Sequence, residues 1–597
     1  MIRRIYSIKW ILIAFSVLGI VGLSHAISYV ESSTGLRPPR FEGGNTEFEM
    51  ADINQDGNID LLSIGDHGSP YVNTDQHGIM VWFGDGRGNW TNYMNGNFGY
   101  GGIAVGDVNN DGRLDVGYGM HHNYSTNDFG DQVIEVALGD GTGRNWVAWD
   151  DSLAQQGQNW GMFATDFGDI DNDGYLDVGS VSFGADDGLW IYRNLRSGTW
   201  RMTFGFAGGN STMFFTFGDI NKDGNLDMAV GHQNGTVYFG DGLGGFVRKD
   251  RNLPPPGTSG LSGIALGDVN NDGSADLSFT NRQGGVEVWT YSVPGDSWVK
   301  VSRNLPAAGG AYATQICDMD VDGNQDITTF GRCTTKVYKG DGGGNWNLIY
   351  SHTTLTPGSF SAFTVGGDVD HNGYPDIVQV AGEGTANYVR VFKEASIPTN
   401  LSIRAVFPHG GEKFFGGSVR FIDWISAVPG GVASNVRLEL STTGPAGPYS
   451  QIAGNLPNNG RYQWTVPRGV NSNNCYVRYK VSTASDSALA TTLAAFTIGV
   501  LGGLGDSHAS SLVRDGLFFV NPVSREVDIT FHLGSSSKVR VSLVNIVGQE
   551  IRVLSEGFCK AGMHRIRFRP GGLAAGTYFC RLQGRDLDLM RPMVIIK

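Results

Sequence analysis

With 597 residues the chain is too long for one compact core, so several domains are expected. It carries 89 glycines, only 17% charged residues and a formal net charge of -14. With no long amphipathic helical pattern, that composition excludes a helical bundle and suits an all-β chain rich in turns.

The N-terminus places Arg3, Arg4 and Lys9 before an apolar run from Trp10 to Leu23, followed by Ser24, His25 and Ala26. This charged, hydrophobic, small-residue order is that of a secretory signal peptide over residues 1–26, with cleavage expected after Ala26. The run is shorter than the ~20 residues a membrane span needs, and no later segment is long and apolar enough to serve as one. The expected location is therefore secreted or on the outer cell surface, with no transmembrane span in the mature chain.

From Ile27 the chain reads ISYVESSTGLRPP, a pattern shared with stretches much further along, FVRKDRNLPPPG, WVKVSRNLPAAGG and WNLIYSHTTLTPG. Those stretches end repeats, which predicts that the first mature residues supply the outer strand of the last repeat.

The repeats are set by DINQDGNID at Asp52. It returns as DVNNDGRLD at Asp107, DIDNDGYLD at Asp169, DINKDGNLD at Asp219, DVNNDGSAD at Asp268, DMDVDGNQD at Asp318 and DVDHNGYPD at Asp368. Copies at intervals of 49 to 62 residues mean a repeat architecture. Each copy puts side-chain oxygens at positions one, three, five and nine, with glycine at six where the chain turns sharply. A hard cation takes six to eight oxygen ligands, so Ca2+ is the expected ion, about one per repeat and up to seven. The candidate ligands are Asp52, Asn54, Asp56 and Asp60; Asp107, Asn109, Asp111 and Asp115; Asp169, Asp171, Asp173 and Asp177; Asp219, Asn221, Asp223 and Asp227; Asp268, Asn270, Asp272 and Asp276; Asp318, Asp320, Asp322 and Asp326; Asp368, Asp370, Asn372 and Asp376. Asp, Asn and Gly also make turns without any metal, but a plain turn needs no acid at positions one and nine. Of the 58 acids, 23 lie at these positions, so the negative charge reads as a metal-site signature and gives no reason to expect a nucleic-acid partner.

Short apolar or alternating runs flank each turn, which differs from the helix-flanked loop of an EF-hand. A full repeat reads as strand, metal turn, strand, loop, strand, a turn such as FGDGRGNW at Phe83, and a fourth strand. Four strands in each of seven units predict a seven-bladed β-propeller over residues 27–397. Gly240, Gly242 and Gly245 form a GxGxxG that no helix follows, so a nucleotide site is not expected there. Through GDVNNDGRLDV at Gly106, GDINKDGNLDM at Gly218 and their relatives, the repeats resemble the FG-GAP or VCBS repeats of bacterial surface proteins and integrin α-subunit propellers. The resemblance implies a calcium-binding propeller used in adhesion, ligand recognition or scaffolding. The seventh copy departs from it with Asn372 at position five.

Loops between the second and third strands leave the face opposite the metal turns. The long ones are DHGSPYVNTDQHG from Asp66 and MHHNYSTNDFGD from Met120. With the corresponding loops they hold His67, His121, His122, His232, Arg282, Arg332 and Glu383, a candidate recognition surface, since rigid scaffolds commonly bind through loops. Solvated loops of no function are the plain alternative.

After Pro398 the metal motif ends. Residues 398–499 show about seven short strands, predicting a β-sandwich. This part resembles bacterial immunoglobulin-like modules through PHGGE at Pro408 to Glu412 and GRYQWTVP at Gly460 to Pro467, and such modules act as spacers. Trp424 and Trp464 are expected as core aromatics rather than a sugar platform. A glycine-rich linker over 500–511 precedes a second β-sandwich domain over 512–597. This last part resembles the C-terminal sorting domain of type IX secretion cargo through NIVGQEI at Asn545, AGMH at Ala561, GLAAGTYFCRL at Gly572 and the closing MVIIK. The resemblance implies type IX-like export machinery as a partner. Of the five cysteines, Cys317 with Cys333 and Cys559 with Cys580 are nearest in sequence, and buried small residues are the default expectation for all five, Cys475 included.

The expected architecture is all-β, a seven-bladed propeller followed by two immunoglobulin-like β-sandwich domains. No HExxH, GxSxG or phosphate-binding loop occurs. The leading expectation is recognition of a glycan or protein ligand at the cell surface. A secreted lyase or glycosidase using His67, His121, His122 or His232 with a carboxylate is the alternative, and a structural surface spacer is a third.

Overall fold

The structure is a computed structural model that describes residues 27–37, 47–65, 77–96, 98–99, 101–120, 129–154, 161–182, 188–206, 211–232, 235–254, 261–331, 333–354, 362–383, 386–500, 516–518, 527–533, 536–545, 549–560, 562–584 and 588–595. The chain divides into two compact units, Met1–Val500 and Leu501–Lys597.

The first unit opens with seven four-stranded antiparallel sheets, the blades of a propeller. Blade one is Glu49–Ala51, Asp60–Ile64, Ile79–Gly84 and Trp90–Asn95, in that spatial order, and the others repeat it. First strands of successive blades pack together around the axis. Second strands are buried along their whole length, as in DLLSI at Asp60, DVGSVS at Asp177 and DITTFG at Asp326, because neighbouring blades cover both their faces. This explains why they read as continuous apolar or small-residue runs instead of alternating ones. Fourth strands lie outermost and carry a buried aromatic at or next to their first residue, Trp90, Trp146, Trp200, Phe246, Trp298 or Trp346. Four of these indoles donate to a carbonyl at the end of the preceding fourth strand: Trp90 to Ser32, Trp200 to Trp149, Trp298 to Lys249 and Trp346 to Val301.

The ring closes as the sequence predicts. Tyr29–Glu31 completes blade seven by pairing with Ala386–Glu394, Tyr29 opposite Glu394 and Glu31 opposite Phe392. Ile27 and Leu36 are buried on either side of that strand. The junction removes an open sheet edge.

Residues 402–499 form a β-sandwich of nine strands rather than about seven. One sheet holds Ser402–Phe407, Val419–Ala427 and Arg461–Thr465; the other is built around Asn435–Ser441 and Ser472–Ser482. The strand that escapes the sequence pattern is Ser487–Thr491, which has no buried residue; it pairs with one half of Ser472–Ser482, whose other half pairs with Phe496–Gly499. Trp424 and Trp464 lie in the core between the sheets with Phe414, Val477 and Phe496.

This sandwich is no detached spacer: it reaches every one of the seven turns. Asn459 donates to the Asp52 carboxylate at 3.2 Å, and Gln463 both accepts from Asp107 N–H at 3.0 Å and donates to its carbonyl at 2.8 Å. Val419 N–H donates to Asp169 at 2.7 Å. The buried Arg420 guanidinium joins turns three and four, donating to Asn172 Oδ1 at 2.9 Å and the Gly224 carbonyl at 2.8 Å. At turn five the Gly411 carbonyl carbon lies 2.3 Å from where a Cβ on Gly273 would fall, so only glycine fits there. Arg404 donates to the Val321 carbonyl at 2.6 Å, and Val428 N–H to the His371 carbonyl at 2.8 Å.

The second unit has two sheets, Gly516–Phe518 with Val527–Leu533 and Gly562–Phe568, and Ser537–Val544 with Glu550–Cys559, Gly576–Gln583 and Asp588–Ile595. Phe531, Leu543, Phe568, Leu582 and Met593 are among its core residues. Arg567 and Arg569 are exposed.

Two outcomes are expected. A chain beginning at residue 38 leaves Ala386–Glu394 as an open edge and aggregates on heating where the full chain does not, as light scattering would report. Arg420→Ala strands the Asn172 and Gly224 acceptors and lowers stability by about 2–4 kcal/mol in denaturant unfolding.

Candidate metal centres

The seven turns share one geometry, and its donors are backbone amides. The position-one carboxylate accepts from the N–H groups of positions five and six, at 2.9 Å and 2.9 Å for Asp52 and 3.0 Å and 2.7 Å for Asp268. Position five accepts from position seven, as Asp56 does from Asn58 at 2.9 Å. The position-nine aspartates, all fully buried, accept from position two, at 3.1 Å for Asp60 and 2.9 Å for Asp326. In six blades their other oxygen accepts from the third strand, from Gly84 for Asp60 at 2.9 Å and from Gly340 for Asp326 at 2.9 Å; in blade five Asp276 Oδ1 is buried with no hydrogen-bond partner. Each turn is thus wound around its own carboxylates.

Concentrating buried acids this way is electrostatically costly. Burial pushes the carboxyls of Asp60 and Asp115 up to about 8, and those of Asp219 and Asp318 up to about 7. Neighbouring aspartates of the same turn add to the rise, while backbone N–H donors oppose it. A bound cation would offset both terms.

Three turns bring three carboxylates within 4.8 Å of one another: Asp169, Asp171 and Asp177; Asp318, Asp320 and Asp326; Asp368, Asp370 and Asp376. In each trio one position-three oxygen, Asp171 Oδ1, Asp320 Oδ1 or Asp370 Oδ1, is buried with no hydrogen-bond partner. A buried carboxylate oxygen left over amid other carboxylates fits a hard cation. In the turns with Asn54, Asn109, Asn221 and Asn270 the amide oxygen instead accepts the position-five N–H, at 2.9 to 3.1 Å.

Position four is a participant the motif spacing did not single out. All seven occupants have positive φ, from 56° to 60°, and six reach the adjoining turn. Asn110 donates to the Gly174 carbonyl at 2.9 Å, Asn172 to Asn225 at 3.0 Å, and His371 contacts the Gly57 carbonyl at 3.1 Å across the ring closure. Gln55, Lys222 and Asn271 do the same. Val321, which cannot, has its carbonyl taken by Arg404 of the sandwich. The only sequence signal is a polar residue at position four in all but one copy.

A second acidic group lines the inner strands. Burial raises Glu47, pushes Glu49 up to about 7 and Asp166 up to about 6. Arg461 of the sandwich, paired with Asp423 at 2.8 and 3.1 Å, lowers Glu49 and Asp166 in turn.

Of the candidate recognition residues, His67, His121, His122 and Arg332 lie outside the described residues. His232 and Glu383 end second strands, in blades four and seven, and the exposed Arg282 follows the second strand of blade five, all at the end opposite the turns. The five cysteines are free thiols, so neither sequence-adjacent pair is bridged.

Residues 44–118 and 169–230 match the family described as FG-GAP-like repeat. No curated protein matches the chain. Among solved structures, one of a lectin from Agrocybe aegerita, described as recognising non-reducing terminal N-acetylglucosamine, is 19% identical with a TM-score of 0.36, covering 53% of this chain and 81% of that one. The FG-GAP-like repeats at residues 44–118 and 169–230 and the seven four-stranded antiparallel sheets together fit a β-propeller.

Proposed function

We propose that the chain is a secreted or cell-surface, calcium-binding propeller protein that recognises a glycan or protein ligand through loops on the face opposite its metal turns. The observation that carries this reading is the sandwich lying across all seven turns. With that face occupied, the end of the ring at which second strands finish, as at His232 and Glu383, is the remaining one, and the sequence that follows those strands varies most between repeats. Calcium is the ion that suits all-oxygen donors with several carboxylates. Export rests on the order of charged, apolar and small residues before Ala26, and on the type IX-like pattern of the last unit. The immunoglobulin-like reading of residues 398–499 rests on its sequence patterns and a two-sheet core.

Binding of the full chain to a glycan array or to cells tests the recognition reading. Changing His121 and His122 together to Ala is expected to weaken the signal at least tenfold. Release of reducing ends or unsaturated sugars would instead make the chain an enzyme, and unchanged results in every assay would make it a spacer.

Calorimetric titration is expected to find up to seven calcium equivalents and a rise in Tm. The pH dependence has a definite sign. Asp60 and Asp115 titrate near 8 when folded and near ~4 when unfolded. The folded state therefore holds more protons between those values, and chelator-treated protein should lose stability as pH rises from about 4 to about 8. Saturating calcium should abolish that slope in thermal unfolding.

A further inference from the structure

The turns are of two kinds, and the difference goes with a side chain outside them. Position three is Asn in blades one, two, four and five, and Asp in blades three, six and seven. Strand register aligns one third-strand site in every blade, next to the residue paired with position ten, as Trp82 pairs with Leu61 and Tyr338 with Ile327. That site is Arg193, Lys339 and Lys393 in blades three, six and seven, but Phe83, Leu138, Phe239 and Thr290 in the other four. Asp at position three and a cation on the third strand occur together in three blades and are absent together in four.

The contacts supply the reason. In the amide turns, the position-three Nδ2 donates to Oδ2 of position five, at 3.0 Å in blades one, four and five and 3.1 Å in blade two. An aspartate has no such hydrogens, and the third-strand cation takes over. Lys339 Nζ sits against Asp320 Oδ2 and lies 2.6 Å from Asp322 Oδ2. Arg193 sits against Asp171 and lies 2.8 Å from Asp173 Oδ2, and Lys393 lies 2.8 Å from Asp370 Oδ2. Each cation holds the outer oxygen of the position-three carboxylate while the inner one, Oδ1, stays buried without a partner.

Resting on the calcium reading above, we propose that Arg193, Lys339 and Lys393 are counter-cations that set calcium affinity in their blades, each forming one unit with the aspartate at position three. In blade six, four carboxylates less one cation leave three negative charges, the same as the three carboxylates of each amide turn. Blade three has Arg193 in the same place, with the half-exposed and screened Arg196 besides, and it shares the buried Arg420 with turn four, so blade six is the plain case. Blade seven, with Asn372 at position five, is left with two negative charges and is the weakest site.

The test is a double-mutant cycle at blade six in the full chain, with calcium as the probe. Asp320→Asn, Lys339→Phe and the double variant are compared by calorimetry and by thermal unfolding in chelator. The double variant copies the Asn and Phe pair of blades one and four. Asp320→Asn alone leaves two negative charges and should lose one tight equivalent. Lys339→Phe alone should keep the count, bind that ion at least tenfold tighter and lower Tm in chelator. The double variant should recover the wild-type count.

A double variant still short by one equivalent, or a Lys339→Phe variant that binds more weakly, would overturn the proposal. No calcium bound by the wild-type chain would instead overturn the calcium reading itself. Should the blade-six double variant fail to fold, Asp370→Asn, Lys393→Phe and their double variant run the cycle in blade seven, read as the affinity of its weaker ion: lower in the first, higher in the second and restored in the double, any other order overturning the proposal.

Discussion

Each blade depends on one fully buried carboxylate. The position-nine aspartate accepts from position two of its own turn and, in six blades, from the end of the third strand, so a single side chain ties three segments of backbone together. No apolar residue can make those bonds, and no water reaches the site to replace them. The cost is a charge in a poorly solvated place, raised further by the acids at positions one, three and five. The architecture of the turn face follows from meeting that cost: amide donors, arginine and lysine counter-charges, and oxygen sets that suit a divalent ion.

The same constraint explains why the sandwich sits where it does. Seven turns in a ring present carbonyls and carboxylates at one end of the propeller, a surface rich in acceptors. The sandwich meets it with donors, among them the Arg420 and Arg404 guanidinia, the Asn459 and Gln463 amides, and the backbone N–H groups of Val419 and Val428. Position-four side chains bind one turn to the next. Where Val321 breaks that chain, Arg404 stands in from outside the propeller. Propeller and sandwich are for this reason one compact unit up to Val500, despite the change of repeat pattern at Pro398.

Much of this was legible because repetition multiplies weak signals. One copy of Dx(N/D)xDGxxD is an ordinary turn; seven at a regular interval specify seven blades, and the flanking runs specify strands. Even the ring closure could be read, because residues 27–37 look like the end of a repeat and the seventh repeat lacks one. The proposed recognition surface was less legible, since polar loop residues such as Arg282 carry no periodicity. The sandwich strand Ser487–Thr491 was hidden for a similar reason, none of its residues being buried.

By itself the sequence determined what is local or repeated: the turn chemistry, the blade count, the strand order and the strand that closes the ring. Each of these rests on residues a few positions apart or on spacing that recurs. Only the tertiary structure decided what depends on neighbours distant in sequence. Arg420 lies 248 residues from Asn172, and Gln463 lies 356 from Asp107, so no pattern along the chain could pair them. Likewise Lys339 and Asp320 are ordinary surface-type residues until the third strand folds back beside the turn and sets an ammonium against a buried carboxylate.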